Sequence, residues 1–263
     1  MSVLAEILAS KRGEILDARA RPPPARSPRV PNDPLGTLAR GAGEPLRLIA
    51  EVKFKSPSAG ELSRALDAPS RARAYAKAGA KMVSILCDAP FFGGSFAHLA
   101  ATRALFDAEG LTVPLLAKEF ILDEVQLDLA AAHGADAALL IVRILEGRDL
   151  GRLIAASRDR GLEPLVEVVD EAELGAAIAA GARIIGVNAR DLDTLAMDAA
   201  RAARVLASIP RDRVAVHLSG IKSAEAVAAV GSGRADAALL GEALMRIDDP
   251  TPFLRELVAA TEQ

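Results

Sequence analysis

Ala135-Asp136-Ala137-Ala138-Leu139-Leu140 recurs residue for residue at Ala235-Asp236-Ala237-Ala238-Leu239-Leu240. Each copy carries a short apolar run of the kind that forms a strand buried on both faces. Copies one hundred residues apart are separated by about four βα units, which makes them the fourth and eighth strands of one ring. Working outward, similar runs occur at 48–53, 82–86, 113–118, 164–168, 183–187 and 213–218. Between them lie Ala-rich segments of helical period, the alternation expected of a parallel sheet covered by helices. Gly79-Ala80, Gly134-Ala135 and Gly181-Ala182 punctuate the passage from helix to strand, where glycine can take the left-handed conformation.

The competing architecture is an open, doubly wound sheet, whose mark is a glycine-rich nucleotide turn after the first strand. Here that strand runs into Phe54-Lys55-Ser56-Pro57-Ser58-Ala59-Gly60, which contains no G-x-G-x-x-G. The reading is therefore an α/β chain folded as a (β/α)8 TIM barrel with an N-terminal helical extension. Residues 47–263 form the barrel. Residues 1–46 comprise a helix, with Leu4, Ile7, Leu8, Ile15 and Leu16 at helical spacing, and a connector rich in proline (Pro22, Pro23, Pro24, Pro28, Pro31, Pro34). The prolines exclude regular helix or central strand from that connector.

Composition narrows the function classes. A net charge of −3 with interspersed signs argues against a nucleic-acid partner. No apolar stretch approaches the ~20 residues of a membrane span, and charges interrupt the N-terminal apolar residues, so no secretory leader is expected. A lone cysteine, Cys87, rules out an internal disulfide and fits a cytoplasmic protein. His98, His133 and His217 show no metal-ligand spacing. Monomer or weak oligomer is left open, as are partners among other enzymes of a pathway.

The chain has 7 lysines against 25 arginines. Lysine can give up a proton when its surroundings lower its pKa, whereas arginine stays charged. Lys53 and Lys118, each closing an apolar run, are thus candidates for proton chemistry. Glu51 stands two residues before Lys53 and shares its face of the strand. Glu167 is the one polar residue in Leu165-Val166-Glu167-Val168-Val169, and Asn188 and Arg190 form a further i, i+2 pair after the sixth strand. At the ends of the seventh and eighth strands stand Ser219-Gly220 and Gly241-Glu242, where small residues let backbone N–H groups approach an anion. Ser56 adds a hydroxyl after the first strand. The Glu242 carboxylate must point away from any phosphate held there. Phe91-Phe92-Gly93-Gly94 reads as an exposed apolar loop, a lid or partner contact.

In sequence order, Ile49-Ala50-Glu51-Val52-Lys53 with Ser56-Pro57-Ser58, Ser84-Ile85-Leu86 with Phe91-Phe92-Gly93-Gly94-Ser95, Lys118-Glu119-Phe120 and Leu165-Val166-Glu167-Val168 resemble the indole-3-glycerol phosphate synthase family. So do Gly186-Val187-Asn188-Ala189-Arg190-Asp191-Leu192, Ser219-Gly220-Ile221 and Leu240-Gly241-Glu242-Ala243-Leu244-Met245. The resemblance implies a carboxy-lyase of tryptophan biosynthesis that needs no cofactor or metal and acts on a phosphorylated small molecule. It implies Lys118 as general acid, Lys53 as holder of the substrate carboxylate, and Glu51 and Glu167 as base and cation stabiliser. Asn188 and Arg190 would orient the substrate, Phe120 would form an apolar wall, and Ser56, Ser219, Gly220, Gly241 and Glu242 would grip the phosphate. The chain departs from the family pattern at Leu218, where an acid is common, and at Ala189, Val169, Phe54 and Glu119. The Leu218 departure keeps two other readings open: a related phosphate-binding barrel with an altered substrate, and a ligand-binding barrel without catalysis.

Overall fold

The computed structural model describes all residues except 1, 23, 24, 26–28, 146, 148, 192–195 and 263. Eight strands close into a barrel, each hydrogen-bonded to its neighbours in chain order, with the first against the last. They are β1 Arg47–Val52, β2 Met82–Leu86, β3 Leu115–Lys118, β4 Ala137–Ile141, β5 Glu163–Val168, β6 Ile184–Val187, β7 Val214–His217 and β8 Ala237–Leu240. Every pairing is parallel, from Ile49 opposite Met82 to Ala50 opposite Leu240. A small antiparallel hairpin, Lys55–Ser56 with Gly60–Glu61, follows β1. The extended run at 113–118 forms strand only from Leu115: Pro114 has no N–H to give the ladder, although its carbonyl accepts from Val83.

The N-terminal extension begins with helix α1 (Val3–Arg19), capped by Ser2. A short helix α2 (Pro34–Leu38) follows. It corrects the expectation that the proline-rich connector holds no helix. Pro34 stands in the first turn, where its missing N–H would have no partner in any case, and Asp33 caps the start. Pro23, Pro24 and Pro28 lie outside the described residues. The remaining helices of the barrel are α3 (Ala68–Lys77), α4 (Ala89–Phe92), α5 (Phe96–Glu109), α6 (Glu124–Ala132), α7 (Asp149–Asp159), α8 (Glu171–Ala179), α9 (Ala199–Ala207), α10 (Ala224–Gly231), α11 (Glu242–Met245) and α12 (Thr251–Ala260).

The period-2 alternation of the strands produces two cores. Leu48, Ala50, Val52, Val83, Ile85, Leu115 and Ala117 pack outward with the helices, among them Tyr75, Leu99 and Phe106. Ile49, Met82, Leu116, Leu139, Leu165, Ile184, Val216 and Leu239 fill the ring, joined from the extension by Leu4, Ile7 and Leu38. This is the packed interior of a barrel.

The repeated hexapeptide has a structural counterpart. Asp136 and Asp236 stand just before β4 and β8, and each binds the backbone of the preceding strand twice. Asp136 accepts from Leu115 N at 2.9 Å and Asp236 from Ala215 N at 2.7 Å. Each in turn donates its own N–H to the same residue's carbonyl at 2.8 Å. Each carboxylate also holds an arginine: Arg29 of the connector reaches Asp136, and Arg234 reaches Asp236, both at 2.8 Å. Asn32 adds two further bonds to Asp136, tying the connector to the start of β4.

Candidate active site

The strands that fill the ring also build the site, because each inward series continues past its apolar residues to a functional one. Ile49 is followed on the same face by Glu51 and Lys53, and Leu116 by Lys118 and Phe120. Leu165 is followed by Glu167, Ile184 by Gly186 and Asn188, Val216 by Leu218 and Gly220, and Leu239 by Gly241. These side chains converge at the C-terminal end of the strands around one cavity of about 170 Å³. All twelve residues singled out in the sequence line it: Glu51, Lys53, Ser56, Lys118, Phe120, Glu167, Asn188, Arg190, Ser219, Gly220, Gly241 and Glu242.

The charged groups form two cation–carboxylate pairs. Lys53 Nζ donates to Glu51 Oε1 at 2.7 Å, and Lys118 Nζ lies 3.7 Å from Glu167 Oε2. Both carboxylates are buried, at 2% exposure each, while the lysine side chains keep 15% and 19%. Burial would raise the Glu51 pKa; the positive charges of Lys53 and then Lys118 outweigh it and hold the carboxyl below its ordinary value. Glu51 Oε2 is buried with no hydrogen-bond partner among the described residues.

A polar relay fixes the opposite wall. Asn188 Nδ2 donates to Glu167 Oε1 at 2.9 Å, Ser219 Oγ donates to Asn188 Oδ1 at 2.7 Å, and Arg190 N donates to the same Oδ1 at 3.0 Å. Ser219 thus spends its hydroxyl proton on Asn188. Gly220 has φ +95°, so its conformation calls for glycine; a Cβ there would approach only Met197 Cε, the end of a flexible, exposed side chain that can move aside. Gly241 caps the one-turn helix α11. The Glu242 carboxylate is taken by Arg246 at 2.8 Å, and that bond holds its pKa below the ordinary carboxylate value. Ser56 Oγ accepts from Ala59 N at 3.0 Å, ordering the loop after β1.

Leu218 is 5% exposed and rests on Gly186, where a Cβ would meet Leu218 Cδ1 at 2.5 Å. Leu218 thus fills the space that a side chain on the neighbouring strand would take. Phe91 and Phe92, expected in an exposed loop, belong to helix α4 and are half-buried against the inner core. The cause is Asp88, whose Oδ2 accepts from the N–H groups of both residues and starts the turn. The Phe92 ring packs 5.9 Å from that of Phe120. Leu192 of the sixth-strand motif lies outside the described residues.

Several cavity residues escaped the sequence reading: Val3, Leu4 and Ile7 of α1, Glu119, and Lys222 just after the seventh strand. Lys222 could have been found by counting lysines, since only seven exist. The α1 residues gave only an amphipathic signal, which does not say what the apolar stripe covers.

Comparison with known proteins agrees with this geometry. The family model for indole-3-glycerol phosphate synthase matches residues 4–257. A relative of that name from Micrococcus luteus is 40% identical, covering 99% of this chain and 98% of its own length. One from Roseiflexus sp. is 42% identical, with 97% and 98% covered, and indole-3-glycerol phosphate synthase 1 of Streptomyces coelicolor is 41% identical, with 100% and 97% covered. Among solved structures, thiamine phosphate pyrophosphorylase from Pyrococcus furiosus aligns with TM-score 0.61 at 16% identity, over 82% of this chain and 96% of its own. 3-Hexulose-6-phosphate synthase from Salmonella typhimurium aligns with TM-score 0.60 at 15% identity, over 82% and 98%; at such identities the likeness concerns the fold alone. With a match along nearly its whole length, the chain belongs to the indole-3-glycerol phosphate synthase family.

Proposed function

We propose that the chain closes the indole ring of 1-(2-carboxyphenylamino)-1-deoxyribulose 5-phosphate, releasing carbon dioxide and water to leave indole-3-glycerol phosphate. The observation that carries this reading is the convergence of Lys53, Lys118, Glu51 and Glu167 on one cavity with an apolar wall and a rim of small residues. Phosphate sits on the backbone N–H groups of Ser219, Gly220 and Gly241, with Ser56 beside them. The aromatic ring rests against Phe120 and Leu218, and Lys53 faces its carboxylate.

The aromatic carbon bearing the carboxylate attacks the ribulose ketone carbon. As the new carbon–carbon bond forms, Lys118 gives its proton to the ketone oxygen, which becomes a hydroxyl, and the ring nitrogen becomes a cationic iminium. Glu167, held by Asn188, stabilises that cation. Carbon dioxide then leaves, and its bonding electrons return to the ring and cancel the charge. In the last step Glu51 removes a ring-carbon proton while the hydroxyl departs as water with a proton from Lys53. A Lys/Glu pair in an apolar mouth suits such proton transfers. A cytoplasmic location belongs to the same proposal and is supported by the lone, buried Cys87, a free thiol.

Purified protein given the carboxyphenylamino substrate is expected to develop indole absorbance and fluorescence. Lys118→Ala is expected to lose roughly 10²–10⁴-fold in kcat while still binding product. A wild type that binds the substrate and forms no indole product overturns the reading.

A further inference from the structure

Lys11 stands on α1 four residues after Ile7 and four before Ile15, on the stripe that faces the barrel. Its side chain is completely buried. The ammonium reaches Asp88 Oδ1 at 2.8 Å, Glu119 Oε1 at 3.1 Å and Glu14 Oε2 at 2.8 Å. Asp88 follows β2 and starts α4, bringing in Phe92. Glu119 directly follows Lys118, and its Oε1 accepts from Phe120 N at 2.7 Å. A single cation therefore joins the N-terminal helix to the ends of two adjacent strands. Above that junction Leu4 and Ile7 meet Phe92 and Phe120 to form the apolar side of the cavity.

We propose that Lys11 is a positioning residue for the reaction: by cross-linking Asp88 and Glu119 it seats α1 so that Leu4 and Ile7 complete the wall against which the substrate's aromatic ring lies, beside Lys118. This rests on the function proposed above and assigns part of it to the N-terminal extension. An apolar residue at position 11 would bury area equally well, but it would leave α1 free to slide or turn. A cation that must meet Asp88 and Glu119 at once fixes one register, the best-attested use of buried ionic groups. Lys11 thereby takes up Asp88 and Glu119, while Glu51 and Glu167 are the acids that interact with Lys118.

The test compares wild type with Lys11→Met and with Lys11→Met/Asp88→Asn/Glu119→Gln. The triple variant leaves no buried unpaired carboxylate at the junction, since Glu14 is exposed and keeps its bond from Ser10 Oγ, and it serves if the single one fails to fold. Hydrogen exchange reads the seating of α1, steady-state kinetics separate KM from kcat, and inhibition by inorganic phosphate reads the far rim. Expected are loss of α1 protection with strand protection intact, a KM raised at least 10-fold, a kcat lowered less than 3-fold, and phosphate inhibition unchanged within twofold. Retained α1 protection, or lost protection with an unchanged KM, overturns the assignment. A wild type that forms no indole product fails the proposed function instead, and the exchange data then still read the junction by itself.

Discussion

Gly241 lies against Glu51: a Cβ added to Gly241 would come within 2.5 Å of Glu51 Oε1 and 3.2 Å of its carboxyl carbon. That oxygen is the acceptor for Lys53 at 2.7 Å. The glycine at the mouth of the eighth strand thus has a second duty beyond exposing its N–H, which is to leave room for a carboxylate of the first strand. Gly241→Ala is expected to swing the Glu51 carboxylate away and break its bond to Lys53. A displacement of this size near the reacting atoms lowers kcat by roughly 10- to 100-fold. Circular dichroism melts should show the fold intact, so an activity loss that merely follows unfolding would refute the explanation.

Glu167 faces Lys118 through one oxygen and holds Asn188 through the other. Glu167→Gln keeps the shape but removes the charge, and the amide has only one oxygen to share between the two neighbours. A kcat reduced by about 10²–10³-fold is expected, the scale of losing one preorganised charged contact to a transition state. KM should change far less, because Phe120 and the phosphate rim are untouched. Equal losses in kcat and in binding would instead assign Glu167 to ground-state recognition.

Most of the barrel and its mouth was legible from residues. A buried strand has period 2, so an apolar inward series that ends in a charged residue, as Leu116 to Lys118 or Leu165 to Glu167, reveals both the strand and the face of the chemistry. The hexapeptide repeat was legible for the same reason, since Asp136 and Asp236 perform one backbone task at two places in the ring. What escaped was set by contacts between distant segments. Lys11 and Glu119 are 108 residues apart, and nothing local marks them as partners. Phe91 and Phe92 looked exposed because the reading weighed their apolarity without the N-cap supplied by Asp88. A lysine spaced four residues from Ile7 and from Ile15 was nevertheless a usable sign of a buried partner.

The two aspartates give a paired prediction. Asp136 is fully buried and accepts from Leu115 N, Asn32 N and Arg29. Asp136→Ala strands the Leu115 and Asn32 donors and takes the carboxylate from buried Arg103, 3.7 Å away, although Arg29 keeps bonds to the Gly134 and Ala135 carbonyls. It should destabilise by about 3–5 kcal/mol, as does the loss of one partner from a buried ion pair. Asp236 is more exposed, and its partner Arg234 keeps bonds to the Ile209, Pro210 and Arg213 carbonyls. Asp236→Ala should therefore cost about 1–3 kcal/mol. Denaturant melts of the two variants decide it, and equal losses would mean that the connector contributes nothing through Asp136.

Burial pushes the Glu119 carboxyl up to about 7, with the like charge of Asp88 acting in the same direction against Lys11 and the Phe120 N–H. The groups facing it are Lys11, Asp88 and the buried Cys87 thiol, with Glu14 on the far side of the ammonium. Between its unfolded value near 4.5 and about 7, the native state holds a proton here that the unfolded chain has released. Stability contributed by this group is then present at low pH and falls as pH rises through that window, by on the order of 3 kcal/mol. Glu51, with its lowered pKa, has the opposite sign and loses its contribution only as pH falls below the ordinary carboxylate range. Glu119→Gln keeps the packing and removes the titration. The difference in unfolding free energy, variant minus wild type, should accordingly rise between pH 4.5 and 7 and level off above. A flat difference across that interval would mean that Lys11 keeps Glu119 ionised throughout.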